Sequence, residues 1–196
     1  TLSPVGRIRH VPSVLLTSGS QRARAIRQAG NAPIQGFASE MAMIASRLAF
    51  TEYYSHYREI ARILGVDEPL TKNKVQYLRV VHDANYVTIC YKMVIPFLHI
   101  MQYSATYGTA QYFKEKFNFP FNIEPEIEME ISTCDSDPDS TWDWSVDSLI
   151  KIIDHNIREG YKQGYVQDDP DEALEKILSA YRNKECVHYL EEHFPL

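Results

Sequence analysis

An acidic residue at the turn of an apolar hairpin is the first feature of this sequence that suggests chemistry. Two β-prone runs, 75–81 and 86–91, are joined by the polar connection His-Asp-Ala-Asn, which predicts a β-hairpin with Asp83 at its turn. A charged carboxylate among valines is costly unless a cation or a basic neighbour accompanies it. An aspartate in a turn also commonly bonds its own backbone, and on the hairpin alone the plain turn residue is the simpler interpretation.

A second group of polar residues lies in the segment 27–36, RQAGNAPIQG. Arg27, Asn31 and Gln35 all carry hydrogen-bond donors. Pro33 suits the first turn of a helix, where its missing N–H costs nothing. The ordinary roles of these residues would be a solvated helix residue, an N-cap and a first-turn residue.

Taken in order, the two segments resemble the palm of family A DNA polymerases, the group of bacterial DNA polymerase I and many phage replicases. In that family an arginine stands four residues before the Asn of an Asn-x-Pro-x-Gln-Gly element, as Arg27 stands before Asn31. A later hairpin of the family carries Val-His-Asp, and here it is Val81-His82-Asp83.

Two weaker matches flank this pair of motifs. The run GRIRHVP at 6–12 resembles the family's glycine- and arginine-rich turn, and EIEMEI at 126–131 with Thr141-Trp142 resembles its final palm strand and closing tryptophan. The resemblance covers residues 1–144, about three-quarters of the chain. Residues 145–196, here called the acidic extension, lie beyond the usual end of the family.

The resemblance implies a role for each matched residue. Asp83 would be a ligand of catalytic Mg²⁺, because hard cations prefer carboxylate oxygens and two-metal sites clamp the attacking and leaving oxygens. His82 would lie near the primer terminus.

The remaining matched residues would contact DNA. Arg27, Asn31 and Gln35 would face the minor groove, where purine N3 and pyrimidine O2 accept hydrogen bonds in every correct pair. Arg7 and Arg9 would contact the phosphate backbone.

The sequence also departs from the family. Ala84 stands where the family usually has glutamate, so Asp83 would carry the metal ligation of its strand alone. An insertion near 51–76 brings Tyr53, Tyr54 and Tyr57, for which helix packing is the simpler expectation and stacking on bases the alternative. The family's first metal-binding aspartate and the fingers helix that holds the nucleotide are not in this sequence, and one carboxylate cannot hold two magnesium ions.

The predicted function is therefore DNA-directed DNA polymerase, with this chain as a C-terminal palm portion. It would require primer–template DNA, a dNTP, Mg²⁺ and a complementary N-terminal chain that carries the thumb, the fingers and the first aspartate. The alternative is a non-catalytic, polymerase-derived DNA-binding or scaffold subunit of a replisome. A single-subunit RNA polymerase also uses a hairpin aspartate, but NAPIQG argues against it.

The predicted fold class is α+β, an antiparallel palm sheet backed by helices with a C-terminal helical extension. Helices are expected over 21–29, from Pro33 to Leu64 and over 97–117, with a break at Gly30 and Asn31. The predicted units are residues 1–144, the palm portion with the end of the fingers, and the acidic extension, for which helical, solvated surface is the default expectation.

Charge is distributed unevenly along the chain. The net charge of −6 divides into +5 over residues 1–30, +2 over 31–120 and −13 over 121–196. The basic segment holds the three arginines among the expected DNA contacts, Arg7, Arg9 and Arg27, so the overall acidity does not exclude a nucleic-acid partner. The sequence offers no signal-like N-terminus, no transmembrane run and no metal-type cysteine or histidine spacing, so a cytoplasmic location is expected. The resemblance implies that this is the cytoplasm of a bacterial host or phage-infected cell.

Overall fold

Helices make up most of this chain in the computed structural model, which describes residues 19–66, 75–81, 84–118, 127–128, 141–142, 146–164 and 166–196. In chain order, the elements are α1 (Gly19–Ile63), β1 (Val75–Val81), β2 (Ala84–Ile89), α2 (Val94–Tyr103), α3 (Thr109–Phe117), β3 (Ile127–Glu128), β4 (Thr141–Trp142), α4 (Val146–Lys162), α5 (Pro170–Arg182) and α6 (Lys184–His193). A 3₁₀ turn, Tyr91–Met93, precedes α2, and a π-helical turn, Ser104–Gly108, joins α2 to α3.

α1 is one continuous helix of 45 residues, so the prediction of two helices separated at Gly30 and Asn31 is wrong. Pro33 lies inside this helix. An internal proline removes one backbone hydrogen bond and costs about 3 kcal/mol. Alanine, glutamine and arginine occur on both sides of Pro33, methionine follows it, and all four residue types favour helix. Tertiary packing of the second half of α1 further offsets the cost.

The second half of α1 forms the core together with the helices that follow it. Tyr53, Tyr57 and Ile60 are buried along one side of α1, and the rings of Tyr53 and Phe97 meet edge to face with centroids 5.4 Å apart. The expected packing role is thus confirmed for Tyr53 and Tyr57, whereas Tyr54 is 48% exposed. Buried apolar side chains of α2, α4, α5 and α6 complete the core: Ile95, Leu98, Ile100, Leu149, Ile152, Ile153, Ile157, Ala173, Ile177, Ala180 and Leu190.

The predicted α+β fold, an antiparallel palm sheet backed by helices, is wrong. Among the described residues, β1 and β2 form one two-stranded antiparallel ladder and β3 and β4 form another, and no ladder joins the two. The second ladder is only two residues long on each strand. The large buried side chains recur instead every three or four residues, so helices packed on helices, rather than a sheet, form the core.

The acidic extension contributes to this core through α4, α5 and α6. Ile153, Ile177 and Leu190 are buried, one on each helix, while the charged residues of these helices lie toward solvent. Asp169 caps α5, because its carboxylate accepts hydrogen bonds from two backbone N–H groups of the first turn. Asn183 caps α6 in the same way through one N–H. The expectation of plain solvated surface therefore holds only for the outer side of these helices.

Two polar contacts fix the acidic extension to the end of α1. The Asn183 amide donates Nδ2–H to the carbonyl of Ile63 at 3.0 Å. Arg62 donates to Glu59 at 2.6 Å and to Glu185 of α6 at 2.8 Å. Exposed ion pairs contribute little to stability, about 0–1 kcal/mol each, so these contacts mainly set how α6 lies on α1.

The middle of α1 packs against α3 and the π-helical turn. Phe37 of α1 meets Phe113 of α3 edge to face, with ring centroids 5.2 Å apart, and Phe113 is fully buried. Within the wide turn, the Thr109 hydroxyl donates to the carbonyl of Ser104 at 2.7 Å. These contacts, together with the core, set the direction in which the first half of α1 projects.

A cluster of histidine and aromatic side chains holds the end of α6 against α1 and α2. His56 Nδ1 and the Tyr189 hydroxyl form a hydrogen bond of 2.8 Å, and His99 Nε2–H donates to the carbonyl of Phe194 at 2.9 Å. Phe194 is buried, and its ring lies 4.8 Å from that of His56. The His193 ring stacks on Tyr189 at 4.1 Å. Burial lowers the pKa of both His56 and His99, which favours neutral rings near pH 7.

Acidification from pH 7.5 to 5.5 is expected to weaken the fold through His56 and His99. In the unfolded chain both rings take up a proton near the ordinary histidine pKa of about 6.5, whereas the fold holds their pKa lower. The unfolded state therefore binds more protons in this window, and the free energy of unfolding falls as the pH falls. Glu52 raises the pKa of His56 and Glu191 raises the pKa of His99, but the net shift of each pKa remains downward. Urea midpoints at several pH values measure the effect.

Two variants separate this effect from general acid sensitivity. His99→Gln replaces the imidazole N–H donor with an amide N–H donor that does not titrate. The urea midpoint of this variant should therefore depend less on pH than that of the wild type. His188→Gln, at an exposed position of α6, should leave the wild-type dependence unchanged. Equal pH dependence in the wild type and His99→Gln would contradict the assignment to His99.

Candidate nucleic-acid interface

Polar side chains in the first half of α1 line one open depression of about 490 Å³. All of them are exposed. The five residues, here called the polar face, are Arg24, Arg27, Gln28, Asn31 and Gln35. Steps of three and four residues bring side chains to the same side of a helix, which is why one continuous helix gathers this set.

The other sides of the same helical segment differ in character. Ala25 and Ala32 are buried, with 2% and 5% of their surface exposed. Ile34 is 70% exposed and does not line the depression. The polar face is therefore a defined side of α1, next to a buried alanine side, and not a uniformly polar helix.

The electrostatics of the polar face favour an anionic ligand. Between Gly19 and Ser39, α1 contains three arginines and no acidic residue. None of Arg22, Arg24 and Arg27 forms an ion pair with an acid in the described part of the chain. No carboxylate is among the described residues that line the depression. The guanidinium and amide groups together present many N–H donors, so a partner rich in hydrogen-bond acceptors fits this surface.

The length of the polar face can be compared with a nucleic-acid duplex. At about 1.5 Å rise per residue, Arg27 and Gln35 lie about 12 Å apart along the helix axis. A duplex advances by about 3.4 Å per base pair, so this length corresponds to three or four pairs. A helix is about 10–12 Å wide and the minor groove only about 6 Å, so side chains of α1 would enter the groove while its backbone stays outside.

The structure brings together three of the residues that the sequence predicted. Arg27, Asn31 and Gln35, here called the motif residues, lie on the polar face. Asn31 is inside α1 and so is not an N-cap, the ordinary role considered for it. The other predicted residues, Arg7, Arg9, His82 and Asp83, lie outside the described residues.

The predicted magnesium ligand stays a prediction. In the described ranges, no three histidine, cysteine or acidic side chains lie together as a metal-binding group. Asp83 is not in those ranges, so this finding does not bear on it.

Arg24 and Gln28 are members of the polar face that sequence reasoning missed. A signal for them was present, since Arg24 precedes Arg27 by three residues and Gln28 follows Arg24 by four, both same-side spacings on a helix. The predicted helix break after residue 29 separated Arg24 and Gln28 from Asn31 and Gln35, so the full length of the shared surface was not predicted.

Comparisons of this chain with models of protein families, with curated proteins and with solved structures found no match. The likeness to family A DNA polymerases therefore depends on the motif residues and the Val-His-Asp run themselves. None of the helices in the described segments is long and apolar enough to cross a membrane.

Proposed function

We propose that this chain is the C-terminal portion of a DNA-directed DNA polymerase and that the polar face of α1 contacts the minor groove of the primer–template duplex. The observation that carries the proposal is the convergence of Arg27, Asn31 and Gln35 on one depression whose described lining contains no carboxylate. Those three residues are the ones to which the family resemblance gives minor-groove contacts, and their placement on one surface supports that role.

The chemistry of the motif residues suits a check of base-pair shape. Purine N3 and pyrimidine O2 occupy similar positions in every correct pair, so donors from Arg27, Asn31 and Gln35 can bind any sequence. A mispair displaces these acceptors and leaves a donor without its partner, which is costly away from water. The contacts would therefore favour a correctly paired primer terminus without selecting a particular sequence.

Catalysis would need more than this chain supplies. Asp83 is proposed as one ligand of catalytic Mg²⁺, which when bound would neutralise charge on the transferred phosphoryl group. The first catalytic aspartate and the nucleotide-binding fingers would come from a complementary N-terminal chain. The acid-free segment of α1 from Gly19 to Ser39 and its three arginines would hold the duplex against that assembly.

One observation favours a second candidate, a non-catalytic polymerase-derived subunit that binds DNA as a scaffold. Ala84 removes the carboxylate that usually accompanies the hairpin aspartate. Such a subunit would keep the polar face of α1 and its affinity for duplex DNA. It would tolerate loss of Asp83, whereas a polymerase would not.

Arg27→Gln is expected to weaken binding of a primer–template duplex by about five- to a hundredfold, because a good arginine contact to a base edge is worth about 1–3 kcal/mol. Fluorescence anisotropy with the full chain and a labelled duplex measures the dissociation constant. Arg22→Gln is the matched control, since Arg22 is exposed on the same helix but does not line the depression. Equal affinity of both variants would contradict a specific role for the polar face.

A further inference from the structure

The polar face of α1 is longer than the motif that resembles the polymerase family. Arg24 and Gln28 line the same depression as the motif residues, yet neither belongs to the Arg-x-x-x-Asn-x-Pro-x-Gln-Gly pattern. Both are exposed, and Arg24 forms no ion pair with a described acid. No contact in the described fold explains the presence of these two donors on this surface.

We propose that Arg24 and Gln28 are additional duplex contacts, with Arg24 bound to a backbone phosphate and Gln28 to a groove or sugar oxygen beside it. This inference rests on the proposed function and extends it. It assigns the chain a sequence-independent contact with duplex DNA beyond the base-pair contacts of Arg27, Asn31 and Gln35.

The position of Arg24 supports a phosphate as its partner. Arg24 lies three residues before Arg27, about 4.5 Å along the helix axis, which is close to one base-pair step. Side chains of a helix lean toward its N-terminus, so Arg24 extends the polar face beyond the motif residues. A guanidinium matches two phosphate oxygens through paired N–H groups, and such backbone contacts fix the position of a protein on a duplex.

Gln28 lies between Arg24 and Asn31 on the depression and carries no charge. A neutral amide can donate to a groove acceptor or a sugar oxygen without displacing a counterion. The two residues should therefore differ in how salt affects their contribution to binding, and this difference can be measured.

The test is the salt dependence of duplex binding by the full chain. Each phosphate contact contributes about 0.9 to the slope of log affinity against log salt concentration. Arg24→Gln should make that negative slope shallower by about 0.9 and weaken binding about tenfold at 50 mM KCl. Gln28→Ala should weaken binding about two- to tenfold and leave the slope unchanged. Thermal unfolding of each variant checks that α1 remains intact.

Arg22→Gln supplies the control, because it removes the same charge from α1 about 140° around the helix from Arg27. If Arg24→Gln matches Arg22→Gln in slope and affinity while Arg27→Gln weakens binding, the inference fails and the proposed function stands. If Arg27→Gln also matches Arg22→Gln, or the wild-type chain does not bind duplex, the proposed function fails with it. A Gln28→Ala chain with wild-type affinity overturns the part that concerns Gln28.

Discussion

Asp83→Ala is expected to lower primer extension by at least about a hundredfold when the chain is assembled with its complementary chain. Removal of a single preorganised group that stabilises transition-state charge costs about 10²–10³ in rate in well-studied enzymes. Asp83 is followed by Ala84 in the sequence, where the family usually has glutamate, so an adjacent carboxylate is not there to compensate. Single-turnover incorporation of one dNMP with saturating duplex measures the chemical step.

The control is Asp147→Ala, which removes an exposed acid from the first turn of α4 and should leave the rate at the wild-type level. Duplex affinity should be nearly unchanged in Asp83→Ala, because the polar face of α1 remains. Extension at near wild-type rate by Asp83→Ala would reject the polymerase role of the hairpin. It would favour the non-catalytic scaffold, which keeps DNA binding and needs no catalytic carboxylate.

Removal of residues 146–196 is expected to abolish cooperative folding of the remaining chain. These residues supply half of the buried side chains in the core, counted over the described residues. Burial of a large apolar side chain is worth about 1.5–3 kcal/mol, and the net stability of a domain is only about 5–15 kcal/mol. The truncated chain would expose the apolar side of α1, including Tyr53 and Tyr57. Thermal unfolding followed by circular dichroism measures the loss of the transition.

Two isoleucine-to-alanine substitutions, one buried and one exposed, test the contribution of the acidic extension to the core without truncation. Ile153→Ala in α4 should cost about 2–5 kcal/mol, because Ile153 is 1% exposed in the core. Ile34→Ala should change stability by less than about 0.5 kcal/mol, since Ile34 is 70% exposed. A cooperative transition in the truncated chain, or equal effects of the two substitutions, would contradict a core shared between α1 and the acidic extension.

The helices could be predicted from the sequence wherever apolar residues recur at helical spacing. The prediction of helix over 97–117 corresponds to α2, the π-helical turn and α3, and the acidic extension contains the three helices α4, α5 and α6, in agreement with its predicted helical character. A break in α1 was wrongly predicted because Gly30, Asn31 and Pro33 are local signals for the interruption of a helix. Their cost is small beside the tertiary packing of a 45-residue helix, and a local pattern does not report that packing.

The prediction of the fold class was wrong for a different reason. Alternating residues predicted strands, and the palm resemblance predicted how they would join into a sheet. Ladder formation depends on partners far along the chain, and in the described residues the strands pair only two by two. The motif residues of the polar face were predicted because they form a short pattern, whereas the connection of Arg24 and Gln28 to Asn31 and Gln35 depends on one helix that runs through Gly30 and Pro33.

Binding of a duplex that lacks one minor-groove acceptor tests the proposed contact most directly. Replacing the adenine at the primer terminus by 3-deazaadenine removes N3 and leaves the Watson–Crick edge intact. The wild-type chain should bind this duplex about five- to a hundredfold more weakly than the unmodified one. Arg27→Ala should bind both duplexes equally, because loss of the donor and loss of the acceptor of one contact are not additive in a double-mutant cycle. The same proportional loss in the wild type and Arg27→Ala, or no loss in either, would contradict a minor-groove contact by α1.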